Sequence, residues 1–508
     1  MPVAKKYTLS DYRNTNTLSD KTIGEGLLFL ANMINYASEQ KNVSIAAHAI
    51  KLAEELERRK DITSAKRALL YSYLINAWNV NNKDALAWEN KALGKEIFYG
   101  RKALLEKDFN KLPLGTRLSI YTNLGNALFQ TRRILDAIEY YNLALSYKPD
   151  FGMALGAKAR AISSYAYFIR NTEAGIALYS YAEELYLKAV ASHSTQKHAL
   201  PAFKNNLNKI TQFLNKLGRP KETNAYNFLP LRKGKANAYH LWCLQNDLIL
   251  NPVNLIPGYK NIKDTVHTPS MFTDTGKIPP FYAYFNQLKQ EFLAARFLCF
   301  EGTEHLYQKH YSDRYGYLLQ TYDHALWDYH TQQVKLAFLT AYAVLDKVAM
   351  YIDSYFNLHQ PKEKINFRSV WYQHCDMTYN KKKRPILREE FVRHSNGALL
   401  SLHWLSKDFR YSNNAFYALE PEADKLKDIR NNLEHHFFQI RMIDDKSSGI
   451  EGIDEQSLRS KTIKLLKLVH YALTYLAFAV TIEEEKKDKQ DTPSDKVAVP
   501  MIIDKWTL

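Results

Sequence analysis

Arg430, Asn431, Glu434 and His435 stand together in the stretch Arg430-Asn431-Asn432-Leu433-Glu434-His435. A permanently charged guanidinium, an amide and an imidazole can hold a phosphate and move a proton near neutral pH without a metal. Spacing alone says little, because an Arg followed by a His also occurs at Arg368/His374 and Arg388/His394. Context separates the three. Of them, Arg430 alone is followed at once by Asn, and it alone lies in a long helical repeat. Ala423, Leu426, Ile429, Leu433, Phe437 and Ile440 recur every three or four residues, which predicts one helix from Pro421 to Met442 with a continuous apolar face. Pro421, with Glu420, Glu422 and Asp424 around it, suits the first turn.

Projected at about 100° per residue from the middle of the apolar stripe, Arg430 falls roughly 50° away, Glu434 about 90°, Asn431 about 150° and His435 about 170°. The four polar groups therefore form one edge, with Arg430 rooted near the packed side and His435 pointing away from it. The same residues also suit an ordinary Arg430–Glu434 ion pair beside a solvated His435. His436 falls on the other flank of the stripe and is expected to be a partly buried structural residue.

The elements that must position this edge are read from the rest of the chain. Its 508 residues suffice for two or three domains with sizeable cores, and 46% hydrophobic content is that of a globular protein. The net charge of +16 and pI near 9.3 suit an anionic partner such as nucleic acid. A lysine-rich soluble surface gives the same balance. Cys243, Cys299 and Cys375 are far apart and odd in number, which argues against a disulfide framework or zinc site and fits a reducing cytoplasm. Met1 to Lys6 and the polar residues after them show no signal peptide. The apolar run Leu468 to Ile482 is short for a membrane span and is expected to be a buried core helix, with no membrane partner. A P-loop, a Gly-rich dinucleotide turn, H-E-x-x-H and paired Cys motifs are all missing, so no cofactor or metal is expected.

In the N-terminal half, Leu124-Gly125, Ala137, Tyr141, Ala144 and Pro149 fall in register with a tetratricopeptide repeat over 118–151, with Tyr121 where that repeat usually has Trp. Small residues belong where two helices touch, and proline stops the second. Residues 25–57, 65–107 and 152–195 read as further helix pairs without the full signature. Such pairs must stack to bury their apolar faces, which predicts a helical solenoid over residues 1–225 with a concave surface for a protein or peptide. Pro230, Pro252, Pro257, Pro269, Pro279 and Pro280 mark an irregular connector over 226–280, packed down by Trp242, Leu248, Leu250 and Leu255. A four-to-five-helix bundle is expected over 281–485, and a charged tail, solvated from Glu483 to Asp495, over 486–508. The fold class is all-α.

The order of FNQLKQEF with ARFL, then KLAF through LDKVA, then LHWLSKDF, then IRNNLEHHF resembles the HEPN superfamily, in the branch that carries tetratricopeptide-like helices before the bundle. The connector segment WCLQNDLILNPVN is also similar to that branch, and the resemblance covers about 235–482. It implies a metal-independent endoribonuclease whose motif falls on Arg430, Asn431 and His435, with His436 open as the alternative histidine. It further implies a homodimer that brings two motif helices together, and a role as a toxin or antiviral effector governed through the repeats. Glu434 would fix the Arg430 rotamer. Lys381, Lys382, Lys383 and Arg384 are the first choice for contacts to RNA phosphates. Other branches of the superfamily are non-catalytic, which leaves a protein- or RNA-binding adaptor as the rival reading.

Overall fold

The computed structural model describes residues 7–82, 88–170, 172–217, 235–305, 308–373, 386–410, 419–443, 449–489 and 496–502. The chain forms two compact units. The first comprises Met1–Arg219 and Arg410–Ala423, the second Pro220–Phe409 and Asp424–Leu508.

The first unit is built of antiparallel helices: α1 (Leu9–Asn14), α2 (Ile23–Glu39), α3 (Val43–Glu57), α4 (Ser64–Val80), α5 (Lys91–Leu105), α6 (Leu114–Gln130), α7 (Ile134–Tyr147), α8 (Gly152–Phe168), α9 (Glu173–Ala191) and α10 (Leu200–Leu217). Pairs α2/α3, α4/α5, α6/α7 and α8/α9 fall in the four windows read as helix pairs, 25–57, 65–107, 118–151 and 152–195. Their starts are set by side-chain caps: Thr22 with Glu25 in a capping box, then Asn42, Thr63, Asn90 and Thr172. The α6/α7 crossing shows why glycine stands at 125. A Cβ there would lie 2.6 Å from Cε1 of the fully buried Tyr141. The second stretch of this unit, Arg410–Ala423, is tied in by a buried ion pair of Arg101 with Glu420 (3.6 Å) and by Arg101 Nη1 donating to the Leu419 carbonyl. The residues leading into the motif helix thus belong to the repeat unit, which no local sequence signal showed.

The second unit is a helical bundle. Its α-helices are α11 (Lys235–Gln245), α12 (Phe281–Glu304), α13 (Tyr329–Tyr355), α14 (Glu389–His394), α15 (Gly397–Ser406), α16 (Ala423–His435, with Ala423 counted in the first unit) and α17 (Glu455–Lys489). Four short strands accompany them: β1 (Met271–Asp274), β2 (Gln439–Arg441), β3 (Gly452–Asp454) and β4 (Lys496–Val499). Helix α12 packs on α13 and α17, and α15 packs on α17. Gly302 lets α12 approach α13, since a Cβ there would sit 2.6 Å from the His330 carbonyl. Helix α17 is long and apolar enough to cross a membrane by length and composition, yet 83% of that apolar window is buried. Its Leu468, Val469, Ala472, Leu473 and Leu476 are core residues, as the apolar run from Leu468 to Ile482 led one to expect.

The connector is held to the bundle by Arg296, which forms a two-pronged ion pair with Asp264 (3.0 and 2.9 Å), donates to the Leu248 carbonyl and reaches the Tyr239 hydroxyl. Cys243 and Cys299 are buried free thiols, and Cys375 lies outside the described residues. The solvated tail expected from Glu483 takes a different form. Helix α17 runs on to Lys489, and Glu483 and Glu484 are buried. Glu483 accepts from Asn396 and Lys486 and pairs with His394, while Glu484 accepts from Tyr355 and the Phe272 amide. Beyond it, β4 pairs antiparallel with β1, Met271 opposite Val499. Charge runs predict solvation only where no distant donors converge on them, and here they do.

Candidate functional site

Helix α16 buries Ala423, Leu426 and Ile429, spaced three apart, and turns its polar edge outward. It stops at His435, short of the Met442 read from the apolar spacing. Phe437 is 93% exposed, and Ile440 is buried through β2 instead. The stop has a tertiary cause. Strand β2 pairs in parallel with β3, Gln439 opposite Gly452, and a Cβ on Gly452 would lie 2.5 Å from the Gln439 carbonyl. Arg441 is buried there, donating to Gln439 Oε1 and the Ile450 carbonyl. Leu326 and Met442 amides bond the Ile440 and His324 carbonyls, adding a third segment to the ribbon. The β2–β3 ladder and these added backbone bonds outweigh a helical turn made of His, His, Phe and Phe, which are mediocre helix formers.

On the outward edge, Arg430 Nη2 meets Glu434 Oε2 at 2.9 Å, and His435 Nε2 lies 3.3 Å from the same oxygen. Arg430 Nη1 donates to Asn431 Oδ1 at 3.3 Å. One carboxylate thus bridges the guanidinium and the imidazole. The Arg430 side chain is 34% exposed and that of His435 63%. His436 is exposed as well, not half-buried as its helical projection suggested, because the helix ends one residue before it.

Arg430 and Asn431 open onto a cavity of about 280 Å³. Helix α13 contributes Tyr342 and Asp346 to its lining. The Arg430 guanidinium carbon stands 5.8 Å from the Tyr342 ring centre. Glu363, Arg368 and Lys427 also line the cavity. Burial pushes the Asp346 carboxyl above its ordinary range, against the pull of the Phe367 amide that donates to it at 3.0 Å and of Arg368 and Arg430. Burial also lowers the Lys427 ammonium, with help from Arg368 and Arg430. His435 and Glu434 are outside the cavity lining, at the exposed end of the edge. The lining holds three cations (Arg368, Lys427 and Arg430) and the Asn431 amide beside two acidic residues, Asp346 and Glu363, with an accessible imidazole one helical turn from Asn431.

Sequence reasoning set Arg368 aside with the chance Arg–His spacings, and it missed Asp346 and Tyr342. The fold brings all three to Arg430. The helical spacing within KLAF through LDKVA marks Tyr342 and Asp346 as one face of α13, but nothing in that stretch says which helix it faces. The other spacing, Arg388/His394, is structural: His394 Nδ1 meets Glu483 Oε2 at 2.8 Å. Lys381, Lys382, Lys383 and Arg384 lie outside the described residues, as does His374. Among the described residues, no three His, Cys, Asp or Glu side chains gather as a metal site would require.

Residues 272–483 match the family model described as LA2681-like HEPN. The matched span runs from within β1 to Glu483 in α17 and contains the whole motif helix and its cavity. It supports placing the C-terminal bundle in the HEPN superfamily, whose members are generally nucleases. No curated protein matches the chain.

Proposed function

We propose that this protein is a metal-independent endoribonuclease whose cutting edge is Arg430, Asn431 and His435. The observation that carries the reading is the joint placement of these groups, on one outward edge of α16 beside a cavity to which Arg430, Arg368 and Lys427 all contribute, within the span that matches a HEPN family model. An RNA strand laid along the edge would put a phosphate at Arg430 and its neighbouring 2′-hydroxyl at His435. The imidazole takes the hydroxyl proton, the oxygen attacks phosphorus, and the 5′-oxygen leaves with a proton. Arg430 stabilises the charge that develops on the phosphate. A second copy of the chain, docked by its own α16, supplies the second histidine that a simultaneous acid and base require. The products are a 2′,3′-cyclic phosphate and a 5′-hydroxyl, and DNA is spared for want of the attacking group. In this reading the tetratricopeptide-like repeats receive a protein or peptide signal that governs a toxin or antiviral effector.

The Glu434 carboxylate favours a second reading. It engages both Arg430 and His435 and would repel a phosphate, which suits a non-catalytic adaptor. One experiment separates the two. Full-length protein is incubated with total RNA in EDTA, beside Arg430→Ala and His435→Ala. Cleavage by the wild type, lost in both variants and leaving cyclic-phosphate ends, upholds the nuclease. Equal cleavage by His435→Ala refutes the assignment of this edge.

A further inference from the structure

A cavity of about 640 Å³ in the second unit takes no part in the ribonuclease reading. Its size falls within the roughly 300–1,000 Å³ of small-molecule sites. Helices α12 and α13 and the chain that follows α13 line it. Leu288, Tyr351 and Ile365 contribute buried apolar groups, and Tyr284 and Met350 exposed ones. The Tyr284 and Tyr351 rings meet edge to face, 6.4 Å apart. Aromatic rings and a thioether suit a flat aromatic body.

The chain after α13 has unusual backbone. Asn357 (φ 51°) and His359 (φ 53°) are both left-handed, a conformation that costs a residue with a Cβ. Asp353 holds the turn: its carbonyl accepts from the Leu358 amide (3.0 Å) and its carboxylate from the Gln360 amide (3.2 Å). Asn357, His359 and Lys362 thereby join the lining with side chains that have no partner among the described residues, and the Ser354 hydroxyl is in the same state. Strained backbone held in place by its neighbours, with unengaged polar groups in a cavity lining, is the pattern of a binding site.

Charge narrows the ligand. The Lys347 ammonium is engaged by Glu291, and the Asp353 carboxylate by the Gln360 amide. The Lys362 ammonium is left over. A single negative charge matches it. A cation would find no unengaged carboxylate in the described lining, and a dianion would bring surplus charge beside Asp353.

We propose that this cavity binds an aromatic monocarboxylic acid, its ring against Tyr284, Met350 and Ile365, its carboxylate on Lys362, with His359 and Ser354 donating hydrogen bonds. Ile365 also lines the cavity beside Arg430, which gives an occupant a path to the proposed cutting edge. That use rests on the ribonuclease reading. The binding does not, and it is measured without RNA, so the two fail separately.

The test uses the full chain and saturation-transfer NMR with indole-acetic, naphthyl-acetic and phenylpropionic acids, their neutral amides, and the matching aryl phosphates. The Kd of the tightest acid is then measured by isothermal titration calorimetry. At least one acid should bind, and its amide should bind about tenfold more weakly or worse. Lys362→Glu, a change on an exposed side chain, should weaken the acid by a similar factor and leave its amide unaffected. His359→Gly removes the imidazole where the backbone favours glycine, so binding should fall several-fold while the thermal midpoint holds or rises. Met350→Trp fills the space and should abolish binding of acid and amide alike. The proposal is overturned if no acid binds, if the amides or the aryl phosphates bind as tightly as the acids, or if Met350→Trp and Lys362→Glu bind the acid as the wild type does.

Discussion

Replacing Glu96 with glutamine should abolish a specific loss of stability of the first unit as pH rises. Glu96 is 2% exposed on α5, with Asn79 Nδ2 and Asn82 Nδ2 donating to its two oxygens at 3.0 and 3.3 Å. Burial outweighs these two neutral donors and raises the pKa from 4.5 to about 7. The folded carboxyl therefore holds its proton more tightly than the unfolded one. Its contribution is fully present below the unfolded pKa of 4.5 and is lost as pH climbs through the folded value of about 7. At 1.36 kcal/mol per tenfold change in proton affinity, the ionised group costs about 3 kcal/mol, most of it expressed between about pH 5 and about pH 8. For a unit of this size that corresponds to roughly 5–10 °C in thermal midpoint. Glutamine keeps the shape. Its oxygen can accept from Asn82 and its amide can donate to Asn79 Oδ1, which has no other partner among the described residues. The assay is hydrogen exchange of peptides from α4, α5 and α6 in rising urea, run near pH 5 and near pH 8, so that the two units are read separately. The wild type should lose about 2 to 3 kcal/mol more than Glu96→Gln across that interval. Parallel pH dependence in the two proteins would refute the argument.

Gly125→Ala drives a methyl to within 2.6 Å of the Tyr141 ring, and should lower the stability of the first unit by about 1–3 kcal/mol, seen as earlier urea unfolding of α6 and α7. Asp264→Ala leaves the Arg296 guanidinium buried without its two-pronged partner. About 3–5 kcal/mol should be lost from the second unit, and Arg296→Met in the same chain should recover much of it. Asn396→Ala removes the cap of α15, which accepts from the Ala398 and Leu399 amides, together with its bonds to Glu483 and the Ala479 carbonyl; a loss of about 2 kcal/mol is expected in denaturant melts. In RNA-binding assays, Glu434→Gln should tighten binding of a non-cleavable RNA several-fold, because it removes the anion that competes for Arg430, with the variant's salt dependence as the check.

What the sequence determined by itself was local. The windows of the four helix pairs followed from the repeat register of 118–151 and its weaker neighbours, and Gly125 with Tyr141 announced one tight crossing. The outward turn of His435 and the Arg430–Glu434 pair followed from helical geometry within six residues. The tertiary structure decided everything that depends on distant partners. The end of α16 was set by β3, more than ten residues on, so an apolar repeat that ran through Phe437 and Ile440 misread a strand as helix. Asp346, Tyr342 and Arg368 reached Arg430 only because α13 and the chain after it fold beneath α16. Glu483 and Glu484 looked solvated until donors from α13, β1 and the α15 cap closed on them. Periodicity encodes which face of an element is apolar. It carries no record of which other element that face, or its polar edge, will meet.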